Sequence, residues 1–136
     1  MKLAVFLVAA VSLFAGDIEA VKAEPNLEKR SDKALVFANA ALDEARKDHD
    51  GLNAHMDEVR AGIDLCVESL EATGKNARKN PKYFKRAEIE VRKLIRRLDN
   101  FRIELPLDDR APVEALLKHA HKVQDDLLAG IMTRKK

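Results

Sequence analysis

Between Leu35 and Leu70 the apolar residues fall into two rows, each repeating every seventh position. Leu35, Leu42, Met56, Ile63 and Leu70 form one row, with His49 in the slot between Leu42 and Met56. Ala38, Ala45, Leu52, Val59 and Cys66 form the other. Residues seven apart lie almost on one face of an α-helix, so both rows line a single seam. A strand would need apolar and polar residues to alternate, and no stretch does so for long enough to suggest a sheet. The chain is also rich in Ala, Leu, Glu, Lys and Arg, poor in Gly and Pro, and has no Trp. Such composition favours helix. The expected fold class is all-α.

The rows stay in phase across Asp48-His49-Asp50-Gly51, which taken alone describes one helix of about forty residues, about 60 Å long. Asp50-Gly51 is nevertheless turn chemistry, because Gly suits the left-handed position after a helix end. Asn53 can cap a new helix whose first turn holds Asp57 and Glu58. Thr73-Gly74 then ends a helix, and Asn80-Pro81 starts another with Pro in its first position. Phe84, Ala87, Val91, Leu94, Leu98, Phe101 and Leu105 make its seam, and Pro106 ends it. Asp108 or Asp109 caps a last helix, with Pro112 in its first turn. Its buried face is Val113, Leu116, Leu117, Ala120, Val123, Leu127 and Ile131.

Four helices of similar length follow, near 28–48, 53–73, 81–105 and 109–133, with one longer loop at 74–80. Short connections make consecutive helices antiparallel, which gives an up-down-up-down four-helix bundle. The alternative is three helices, the first very long, with dimerisation covering its overhang.

The 136 residues suit one domain. Met1-Lys2 is a short positive start, and Leu3 to Ala15 is an unbroken run of apolar and small residues. This is the pattern of a secretory signal. A membrane-spanning helix needs about twenty apolar residues, more than this run contains. Val21-Lys22-Ala23 fits the small-x-small rule for cleavage, with Ile18-Glu19-Ala20 and Leu13-Phe14-Ala15 as weaker alternatives. The expected organisation is a signal peptide at 1–23 and a helical bundle at 24–136. The expected location is periplasmic or extracellular, with no transmembrane segment in the mature chain. Cys66 is the single cysteine, so no disulfide forms within the chain. Its place in the seam favours a buried thiol over a bridge between two copies.

No catalytic constellation stands out. Ser31 and Ser69, the serines beyond the leader, have no nucleophile-elbow context, and no glycine-rich phosphate loop is present. His119 and His121 lie two apart on a helix, about 200° around its axis, and cannot grip one ion together. His49 and His55 flank the predicted turn. Glu-x-x-His pairs, the mark of di-iron bundles, are absent. A haem held by one Met and one His remains as an alternative, with Met56 or Met132 and His119 or His121 as ligands. The expected reading is a non-enzymatic protein with no cofactor.

Charge separates the chain into two regions. Over 24–74 acidic residues outnumber basic ones twelve to six. Over 75–102 eleven basic residues face only Glu88, Glu90 and Asp99. Lys82, Lys85, Arg86, Lys93, Arg96 and Arg97 are the candidates for a surface that binds an anionic partner, with Tyr83 at its edge. The competing account makes the same cations pair with the acidic first hairpin, and gives Glu88 and Arg92 an i,i+4 bond. Lipid headgroups, envelope polysaccharide or an acidic protein are the partners considered, nucleic acid being excluded by export.

Ala41-Leu42-Asp43-Glu44-Ala45 with Gly51 resembles one tetratricopeptide unit, but nothing recurs at 34 residues and the aromatic positions are missing. It reads as an ordinary helical hairpin. The run TGKNARKNPKYFKRAEIEVRKLIRRLD, with DDR at 108–110, resembles small exported bacterial helical proteins of uncharacterised function. The resemblance implies an envelope location and no particular activity.

Overall fold

A computed structural model describes residues 17–133. A short helix α1 (Asp17–Lys22) precedes four long ones: α2 (Leu27–Lys47), α3 (Leu52–Ala72), α4 (Pro81–Glu104) and α5 (Ala111–Met132). The first hairpin breaks where Asp50-Gly51 predicts. Residues His49–Gly51 form one 3-10 turn, closed by the Asp48 carboxylate, which accepts from the Gly51 N–H at 3.3 Å. Leu42 and Met56 therefore sit on different helices, and the single long helix is not formed.

The ends are built differently from the expected caps at several places. Asn26 caps α2, its Oδ1 accepting from the Lys29 N–H at 2.9 Å. Asn53 does not cap α3; it lies exposed inside the first turn, and Asp48 closes the turn instead. Asn80 takes the cap position of α4 without a capping bond, and its amide donates to Glu28 of α2 at 3.4 Å. Neither Asp108 nor Asp109 caps α5, because Leu107–Asp109 is its own 3-10 turn and Arg110 takes the cap position. Gly74 ends the α3 connection at φ 75°, a left-handed conformation that favours glycine.

The packing explains the seams. Every residue of the two rows in α2 and α3 is buried, apart from His49, which stands at the turn with its ring 5.8 Å from that of Phe101. Ala34, Ala38, Ala41 and Ala45 of α2 are all buried, and Gly62 of α3 meets Ala34 and Ala38 at close range. A Cβ on Gly62 would lie 2.7 Å from the Ala34 carbonyl oxygen and 2.9 Å from the Ala38 Cβ. The two backbones are thus nearer than larger side chains would permit.

The chain direction alternates, and the two hairpins stack so that α2 lies beside α4 and α3 beside α5. Both of these side contacts are parallel: Arg86 reaches Asp32 and Arg97 reaches Asp43, each 54 residues back, and His119 reaches Asp64 at a separation of 55. α3 and α4 are diagonal across the bundle, so loop 73–80 must cross its end, with Ala77 buried beneath it. That crossing is why this loop is longer than the other connections. On the far side, α1 packs against the first hairpin through Ile18 and buried Val21. It occupies positions placed within the expected signal peptide, whose residues 1–16 lie outside the described residues.

Two glycine substitutions should have opposite signs. Gly62→Ala should cost about 1–3 kcal/mol by overpacking against fixed backbone, seen as a Tm lower by several degrees. Gly130 has open space where its Cβ would be, so Gly130→Ala should raise Tm slightly, by up to about 1 kcal/mol of helix propensity. Thermal unfolding of both variants measures the contrast.

Candidate functional site

The six candidate cations divide into groups. Arg86 Nη1 donates to Asp32 Oδ2 at 2.6 Å, and Arg97 bridges Asn39 Oδ1 at 2.6 Å and Asp43. These two arginines pin α4 to α2. Lys93 reaches Glu90 of its own helix at 3.4 Å. Lys82, Lys85 and Arg96 are exposed and have no carboxylate partner among the described residues. Lys82 and Arg86 both stand over the half-buried Tyr83 ring, at 5.4 and 5.2 Å from its centre. Arg86, Lys93 and Arg97, grouped by spacing as one side, thus serve different carboxylates.

Lys82, Lys85, Ile89, Lys93 and Arg96 follow one another at intervals of three or four and form a single ridge along α4. Ile89 lies in its middle and is 41% exposed. Lys75 and Lys79 of the preceding loop add two more exposed, unpartnered cations at the same end. Spacing alone could have singled out Ile89, because it is an apolar residue off the seam of Ala87, Val91 and Leu94. The first turn of α4 contains no acidic residue. Cations there oppose the helix dipole, which favours negative charge at an N-terminus.

The carboxylates next to the ridge are engaged inside the protein. Glu88, only 4% exposed, receives Arg92 at 2.6 and 3.1 Å and Gln124 of α5 at 3.0 Å. The Arg92 guanidinium, followed by the Gln124 amide, outweighs burial and holds the Glu88 carboxyl below its usual range. The pairing expected from i,i+4 spacing is therefore present, and it also ties α4 to α5. Asp99 accepts from Arg102 at 2.9 Å.

Other candidate chemistry does not converge. The Cys66 thiol lies buried in the first hairpin, 3.2 Å from Ser31 Oγ, and burial pushes it up to about 11 against the opposing Ser31 bond. A thiol without exposed surface cannot bridge two copies of the native fold. His119 engages Asp64 at 2.6 Å, while Met56 stands eight residues before Asp64 on α3, about 12 Å along the axis. Met132 is eleven residues beyond His121 on α5, about 16 Å away. These Met and His side chains do not meet around one haem. His55 lies between Asp48 at 3.2 Å and Glu58 at 3.3 Å, closing the first turn. No group of three or more His, Cys, Asp or Glu placed to hold a metal ion occurs among the described residues.

A groove of about 460 Å³ opens where loop 73–80 crosses the bundle end, with Val67, Phe84, Val123 and Leu127 on its walls. Glu71, Lys75 and Asp126 share its rim, so it carries no single sign of charge. No described helix is long and apolar enough to cross a membrane. Comparison with family models, with curated proteins and with solved structures finds no match to this chain. The class defined by the fold is an all-α bundle of two stacked hairpins, with a basic ridge on its third long helix.

Glu88→Gln tests the buried pair. A carboxylate whose folded pKa is lowered stabilises the fold above its ordinary value of 4.5 and loses that contribution as pH falls through the lowered value. The variant should lose about 1–3 kcal/mol at neutral pH, and its deficit against the parent should shrink in acid. Urea unfolding across that pH range reads both. Cys66, in turn, should react with a thiol reagent only at the rate of global or local opening, and rapidly in denaturant.

Proposed function

We propose that this chain is a non-enzymatic interaction protein of the cell envelope or of secreted material, which binds an anionic partner through the α4 ridge and the loop before it. The observation that carries this reading is the cluster Lys75, Lys79, Lys82, Lys85 and Arg96, without carboxylate partners among the described residues. Elsewhere on the bundle, Lys47 of α2 and Lys118 of α5 each stand singly, without a carboxylate partner among the described residues. Placing cations together at a helix N-terminus costs stability, and no internal acid offsets it. A local rule broken without internal compensation points to a use outside the fold.

The export half of the proposal rests on Met1-Lys2 and the Leu3 to Ala15 run. Protein recovered from an exporting host should have a mass that excludes Leu3 to Ala15; a mass that includes them would remove the envelope from the proposal.

Binding is tested with heparin as a soluble polyanion. Affinity should fall steeply with added salt, because the Debye length shrinks from about 8 Å at physiological ionic strength to about 3 Å at 1 M. Lys82→Glu with Lys85→Glu should weaken binding at least tenfold and leave helix content unchanged. Arg86→Glu with Arg97→Glu should instead lower Tm, since those cations hold α4 to Asp32 and Asp43. Unaltered heparin affinity in the double lysine variant sinks the proposal.

A further inference from the structure

We infer that the ridge docks the protein on an anionic lipid surface, with Ile89 entering the headgroup layer between the lysines. The inference rests on the anionic-partner reading above and narrows it to one source of charge. From Lys82 to Arg96 the ridge runs about 21 Å at the helical rise, long enough to lie along a membrane plane. Its cations are exposed, and its centre is a branched apolar side chain. A soluble polyanion has no use for that isoleucine, whereas a bilayer interface takes up basic and apolar groups from the same face.

The surroundings favour a flat approach. Of the carboxylates flanking the ridge, Asp32, Asp43, Glu88 and Asp99 are each bound to an arginine, and Glu90 to Lys93. An anionic surface meeting this face therefore finds paired acids beside Lys82, Lys85 and Arg96, which have no carboxylate partner among the described residues. The other end of α4 is different. Leu107 is exposed there, but Asp108 and Asp109 stand beside it with no basic partner among the described residues. Contact is thus set by the leading end of the helix, with loop residues Lys75 and Lys79 extending it. Long flexible lysines suit such a surface because they can follow headgroups without a fixed geometry.

The test uses co-sedimentation of the full bundle with vesicles of phosphatidylcholine alone or mixed with phosphatidylglycerol, beside heparin binding of the same samples. The parent should bind the mixed vesicles and leave the neutral ones. Lys82→Ala and Lys85→Ala should each lower vesicle binding about fivefold. Ile89→Ser should lower it up to about tenfold while leaving heparin affinity and Tm unchanged. Equal vesicle binding by Ile89→Ser and parent overturns the inference. Binding to heparin without binding to mixed vesicles also overturns it, and leaves the anionic-partner reading standing for a polysaccharide. Binding to neither overturns both.

Discussion

The approach of α3 to α2 at Gly62 sets the geometry from which the rest of the bundle follows. With the Ala34 carbonyl 2.7 Å and the Ala38 methyl 2.9 Å from where a Cβ would stand, the two helices meet there through alanines and one glycine. The larger residues of the rows, Leu42, Ile63 and Leu70, are fully buried as well. They share one apolar core with Val91, Leu94, Leu98 and Phe101 of the second hairpin, all buried. The second hairpin has no corresponding glycine at its centre. A tight first pair and a second pair built from bulkier side chains thus enclose one core.

Electrostatics completes the stacking, and arginine and lysine divide the work. The cations that cross from α4 to another helix are arginines: Arg86 to Asp32, Arg97 to Asp43 and Arg102 to Glu114, with Arg46 of α2 reaching back to Glu104. A planar guanidinium can hold a carboxylate and an amide together, as Arg97 does with Asp43 and Asn39. Most of these pairs are exposed, where each is worth at most about 1 kcal/mol. Their role is chiefly to select the parallel neighbour, since α4 laid against another face would leave Asp32 and Asp43 unmatched. The lysines of the ridge take no part in that selection. Lys93 pairs only within its own helix, with Glu90, and Lys82 and Lys85 have no carboxylate partner among the described residues.

Much of this was legible in spacing. The two heptad rows mark the buried face of the first hairpin, and Asp50-Gly51, Thr73-Gly74 and Pro106 mark its turns and those that follow. A seam states that a face is buried without naming what covers it, so the parallel stacking of α2 on α4 was not available from it. For the same reason the burial of Phe37 and Leu65, which lie off the two rows, was not evident from spacing, and Ala34, also off the rows, is covered by Gly62 of α3. Charge spacing had a similar limit. Arg86, Lys93 and Arg97 lie close on a helical wheel, yet a few tens of degrees decide whether a side chain reaches Asp32, Glu90 or solvent. Tertiary neighbours 54 residues away in sequence made that decision.

Function was less legible, because the sequence motifs pointed to no converging set of side chains, and no group placed to hold a metal ion occurs among the described residues. The described polar groups buried in the core are engaged structurally, Glu88 with Arg92 and Gln124 and Ser31 with Cys66, apart from the Ser69 hydroxyl, which has no partner there. A single unpaired hydroxyl costs some stability. What distinguishes the molecule lies outside, where the α4 dipole and the lysines at its start oppose each other. That opposition is a small standing cost in the isolated protein. An anionic surface at the same end would reverse its sign, because negative charge would then meet both the lysines and the positive end of the helix. If the proposed binding takes place, its gain would include relief of a repulsion already present in the free fold, in addition to the new attraction.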